Sequence, residues 1–64
     1  MAEKLSTRLL RLDEVISIIG MKRSWILQKV SNGEFPKPIK LGSRANAWRE
    51  SDIMEWIEFR ASVG

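Results

Sequence analysis

The chain has 64 residues, with 11 Lys plus Arg against 8 Asp plus Glu, 44% hydrophobic residues, and neither His nor Cys. One small domain fits in that length, and burial of only about 60% of the unfolded surface leaves a compact core with no deep catalytic cleft. Lacking Cys and His, the sequence offers no disulfide, no thiolate or imidazole metal site and no Ser-His or Cys-His pair, so neither an enzyme nor a cofactor is expected. The longest nearly apolar stretch, Val15 to Met21, is broken by Ser17 and falls far short of the roughly 20 residues that span a bilayer. No secretory segment opens the chain either, so the expected location is the cytoplasm, with no membrane partner.

In chain order, residues 1–8 are polar apart from Leu5 and read as a flexible N-terminal arm ahead of a single domain over 9–62. Leu12, Val15, Ile16 and Ile19 recur at one helical face, Asp13 and Glu14 suit the positive helix end, and Gly20 supplies a left-handed stop. A second helix must start almost at once, at Lys22-Arg23-Ser24, with Ile26, Val30 and Met21 inward and Asn32-Gly33 as its end. Two short helices joined by a tight turn containing Gly form a helix-turn-helix. Pro36 and Pro38 then forbid helix, Ile39-Lys40-Leu41 and Ala45 to Arg49 read as strands, and Gly42-Ser43-Arg44 is the turn between them. Ser51 is the expected cap of a last helix carrying Ile53, Trp56 and Ile57 on its inner stripe. The fold class expected is therefore mainly α with a small β-hairpin: helix, helix, hairpin wing, helix.

Charge is blocked along this order. Residues 21–49 carry +6, whereas residues 50–64 carry −3, and a basic block of that kind favours a polyanionic partner more than the net +3 implies. With Ile26 and Val30 inward, Ser24, Gln28 and Ser31 face outward from the second helix, with Trp25 and Leu27 on its flanks. That face is polar and free of acids, as a helix entering the major groove must be, although a solvated surface has the same look. Lys37, Lys40, Ser43, Arg44 and Arg49 lie on or beside the hairpin and suit a wing gripping phosphates, or simply a solubilising edge. Lys22 and Arg23 add to the basic start of the helix. About four to six of Arg8, Arg23, Lys29, Lys37, Lys40, Arg44 and Arg49 are expected on phosphates. Trp56 and Trp48 read as core. Trp25 admits three readings: packing under the wing, stacking on DNA, or an anchor for another copy.

Residues 8 to 60 resemble the AlpA family, short regulators of prophages and genomic islands related to the MerR-like winged helices and phage excisionases. The likeness rests on Arg11-Leu12-Asp13-Glu14-Val15, on Gly20-Met21-Lys22-Arg23-Ser24, on Gly33 through Leu41-Gly42 with its Phe35-Pro36-Lys37-Pro38 core, and on Trp48-Arg49-Glu50-Ser51-Asp52-Ile53 with Trp56-Ile57. It implies a bacterial, nucleoid-associated protein binding double-stranded DNA at an attachment site or integrase promoter, in excision, transcription control or both. Integrase and further copies of the chain are the implied partners. By the same resemblance Arg23 and Ser24 open the recognition helix, Leu27 and Gln28 form its middle, and Lys40 and Arg44 belong to the wing. The chain departs from the pattern at Lys22, where relatives often carry Ser or Thr, at Trp25, where they often carry Thr, and at Leu27-Gln28, where Tyr-Arg is frequent; Gln28 in place of Arg favours adenine over guanine. The alternative from the residues alone is a protein-interaction module with Trp25 and Leu27 as an apolar anchor.

Overall fold

A computed structural model describes residues 8–63. Its elements run β1 (Leu9–Leu10), α1 (Leu12–Ile19), α2 (Arg23–Ser31), β2 (Ile39–Lys40), β3 (Asn46–Arg49) and α3 (Glu50–Val63). This is the mainly helical winged helix-turn-helix expected from the sequence, with one addition. β1 pairs antiparallel with β3, setting Leu10 opposite Trp48, and makes the wing a three-stranded sheet in the order β1-β3-β2. No local pattern announces it, because two apolar residues become a strand only through a partner far along the chain.

Each helix end has a physical cause. At the start of α1 the Arg11 N–H donates to Glu14 Oε1 at 2.9 Å. An arginine side chain accepts nothing, so only the carboxylate half of a capping box operates here. Gly20 closes the helix at φ 82°, its N–H donating to the Ile16 carbonyl at 2.7 Å. α2 ends in a Schellman arrangement: Glu34 N–H reaches the Lys29 carbonyl at 2.8 Å and Gly33, at φ 76°, reaches Val30 at 3.1 Å.

Three expectations need correction. α3 begins at Glu50 rather than after Ser51, because the Glu50 N–H is taken by the Arg8 carbonyl at 3.0 Å, so a backbone group extending β1 does the capping. Met21 is 38% exposed and does not join the inner stripe of α2; the turn lifts it away before the helix begins. Arg8 is no part of a free arm, since its guanidinium meets Glu14 at 3.4 Å and Glu50 at 3.3 Å. The other seven positions of the expected arm lie outside the described residues.

The core gathers Leu10, Val15, Ile26, Phe35, Trp48 and Ile53, one from each element except β2 and one from the α2–β2 loop, with Leu12, Ile16, Ile19 and Val30 packed against it. Phe35, in the loop from α2 to β2, lies edge-on to Trp56 at 4.8 Å and to Trp48 at 6.4 Å between ring centres. Both tryptophans also donate into that loop, Trp48 Nε1 to the Pro36 carbonyl at 2.8 Å and Trp56 Nε1 to the Glu34 carbonyl at 3.1 Å. Two carbonyls that no strand or helix could satisfy are thus bonded by side chains.

Phe35→Ala is expected to cost about 3–5 kcal/mol, enough to leave a domain of this size largely unfolded. Trp56→Phe keeps the ring contact, loses one hydrogen bond and costs about 1 kcal/mol. Thermal melts followed by circular dichroism order the two. A β-carbon added at Gly20 meets nothing within 4 Å, so Gly20→Ala is expected to cost only the left-handed backbone strain, about 1–2 kcal/mol, in a urea titration.

Candidate nucleic-acid interface

Around the axis of α2, at about 100° per residue, the side chains fall into three strips once Ile26, fully buried, marks the inward direction. Arg23 and Leu27 lie toward the wing, Ser24, Gln28 and Ser31 point straight outward, and Trp25 and Lys29 lie toward α3. The hollows of the surface follow these strips. Arg23 and Leu27 line an open groove of about 660 Å³ whose other walls are Arg11 and Leu12 at the start of α1, Asn46 of β3 and Arg44 of the wing loop. Ser24, Gln28, Lys22 and Trp25 line a second, shallower hollow beside Met21. All of Lys22, Arg23, Ser24, Gln28 and Ser31 are exposed.

The wing loop is closed by the Leu41 N–H bonding the Ala45 carbonyl at 2.6 Å, leaving Gly42, Ser43 and Arg44 at its tip. Gly42 has no left-handed backbone, and a β-carbon there would make only an ordinary contact, 3.9 Å from Ala45. Lys40 stands opposite Asn46, so the pleat sets it on the face of the sheet that carries Asn46 and Trp48, although it does not itself line the groove. Arg49 stands opposite Leu9 and by the same alternation faces the other side. Lys37, between two prolines, is exposed and is not brought to the groove.

Electrostatically the site is one-sided. Among the described residues Arg11, Lys22, Arg23, Lys37, Lys40, Arg44 and Arg49 form no ion pair, whereas Arg8 and Lys29 do, Lys29 with Glu34 at 2.9 Å. Arg8 and Lys29, expected among the phosphate contacts, each carry an ion pair in the free protein. The one acid lining the groove, Asp13, accepts the Glu14 N–H at 3.0 Å, where the positive end of α1 offsets its charge. The carboxylates of α3 lie outside this groove.

Trp25 does not pack under the wing. It lies half-buried against α3, edge-on to Trp56 at 6.4 Å, with the Lys29 ammonium 5.5 Å from its ring centre. Because Leu27 lines the opposite groove, Trp25 and Leu27 do not form a single apolar anchor. Arg11 and Asn46 are the groove residues that sequence reasoning missed. The Arg11 Nε donates to the Asn46 carbonyl at 3.1 Å, a contact between residues 35 positions apart that no local pattern signals.

Comparison with known proteins completes the description. Residues 8–61 match the family model described as prophage CP4-57 regulatory protein (AlpA). The chain is 38% identical over 53 residues to the uncharacterized protein ORF88 of Enterobacteria phage P4, a match covering 83% of this chain and 60% of that protein. It is 33% identical over 69 residues to the DNA-binding transcriptional activator AlpA of Escherichia coli strain K12, covering 98% and 99% of the two chains.

Proposed function

Since the chain belongs to the AlpA family of prophage regulatory proteins, we propose that it is a sequence-specific double-stranded DNA-binding regulator of a mobile genetic element, acting at the integrase promoter, the attachment site or both. The observation that carries this reading is the shared groove. The side of α2 that bears Arg23 and Leu27 and the wing loop that bears Arg44 open onto one basic hollow, while Ser24, Gln28 and Ser31 stand beside it, exposed and free of acids.

In this reading α2 enters the major groove and presents Ser24, Gln28 and Ser31 to base edges, where an amide pairs bidentately with adenine. Arg23 and Lys22 at the start of the helix, with Lys40, Ser43 and Arg44 of the wing, hold the flanking phosphates and fix its register. Trp25 steadies α2 through Trp56, and its exposed edge borders the hollow of Ser24 and Gln28, within reach of a sugar or base. Lys37 and Arg49 sit outside the groove and enter only where the duplex bends around the wing. A single module of this size covers roughly 600–1,000 Å², so several copies on neighbouring sites, together with integrase, supply the avidity and geometry for excision. The name of the Escherichia coli relative, a transcriptional activator, favours promoter action.

Gel shifts and footprinting on attachment-region and integrase-promoter duplexes, against scrambled duplex, test the reading. About four to five phosphate contacts are expected to give a log K against log salt slope of roughly −3.6 to −4.5 per copy. Gln28→Ala is expected to flatten preference at one base position by about 1–3 kcal/mol, whereas Lys40→Ala weakens every sequence nearly alike. Binding indifferent to both sequence and salt would sink the proposal. Protected repeats at the attachment region would assign excision, and protection over the promoter would assign transcription control.

A further inference from the structure

The groove between α1, α2 and the wing has a third arginine that belongs to neither reading element. Arg11 at the cap of α1, Arg23 in the first turn of α2 and Arg44 in the wing loop converge on it from three separate segments, and among the described residues none of them is ion-paired. Like charges gathered at one hollow are unfavourable unless an anion is there to answer them. Among the described residues Asp13 is the carboxylate that lines the groove; it accepts a backbone N–H but keeps its charge, so it balances one of the three arginines and leaves a net excess of two positive charges.

Arg11 is also held before any ligand arrives. Its backbone N–H is bonded to Glu14 and its Nε to the Asn46 carbonyl, which uses one of the five guanidinium donors and leaves the terminal nitrogens to fork onto a further oxygen acceptor. A guanidinium oriented in advance loses less freedom when it binds, and this is the geometry that favours Arg over Lys at phosphates. The Leu27 side chain beside it offers an apolar surface of the kind a deoxyribose can cover.

Resting on the DNA-binding reading above, we propose that Arg11 is a DNA-contacting residue, and that the groove it shares with Arg23 and Arg44 seats a backbone phosphodiester at the junction of recognition helix and wing. The contact is sequence-independent and sets how deep α2 sits in the major groove. Arg11 thereby couples the β1–β3 edge of the sheet, through Asn46, to the register of the recognition helix.

Arg11→Gln tests this, because the amide can still donate to the Asn46 carbonyl while the charge and the fork are gone. Binding of the full chain and the variant to a short duplex of random sequence is measured across a salt series, beside thermal melts. The expected result is a melting temperature close to the parent's, affinity lower by about tenfold on every sequence, and a salt slope shallower by roughly 0.9. An anchor with a purely structural role would lower affinity without changing the number of ions released. An unchanged slope therefore overturns the proposal whatever happens to affinity or melting, and does so while the parent's own slope upholds the DNA-binding reading. A parent chain that binds no duplex overturns both.

Discussion

The structure depends on how a single loop is held. Between α2 and β2 the chain passes through Glu34, Phe35 and Pro36, a segment with two prolines close by and no strand of its own. Its stability comes from two indoles. Trp48 and Trp56 stack edge-on against Phe35 and donate their N–H groups to the carbonyls on either side of it. Each aromatic contact is worth about 0.5–1.5 kcal/mol beyond burial, and each indole hydrogen bond adds a net contribution of about 0.5–1.5 kcal/mol. Without this clamp α2 and the wing would be joined by a flexible connector, and no common surface between them would persist.

What the clamp makes possible is a division of charge by face. The basic middle of the chain supplies the groove, and its unpaired arginines come from three elements that only the packed core brings together. Among the described acids, Asp13 and Glu14 are spent at the start of α1, Glu34 pairs with Lys29, and the rest are carried on α3 away from the groove. Arg8 and Lys29, by contrast, are cations that the fold uses internally. Pairs this exposed contribute little to stability, so their main consequence is to settle which cations remain for a polyanion.

The departures from the family pattern also acquire physical meaning. Trp25 is accommodated because α3 presents Trp56 to it, and Lys29 covers its ring, so its indole ties α2 to α3. Lys22 at the start of α2 gives up the side-chain cap that a Ser or Thr would offer and puts an unpaired charge beside the outward face of Ser24 and Gln28. Leu27 lines the arginine groove while Gln28 lines the hollow on the outward face of α2, so two neighbouring residues lie on different surfaces.

Much of this was legible along the chain. The apolar spacing of α1 and α2, the left-handed glycines at 20 and 33, the hairpin around Gly42-Ser43-Arg44 and the basic block over 21–49 are local signals, since helical period, backbone handedness and charge are properties of neighbours in sequence. The family likeness was legible for the same reason. Tertiary structure alone decided the rest. β1 exists only by pairing with β3, Glu50 rather than Ser51 opens α3 because a distant carbonyl caps it, the pleat sets Arg49 on the other face of the sheet, and Lys37 does not line the groove. Arg11 enters the groove through a bond to a strand 35 residues away. Which cations are free to meet a ligand is a property of contacts between segments, and a sequence read by its neighbours does not contain them.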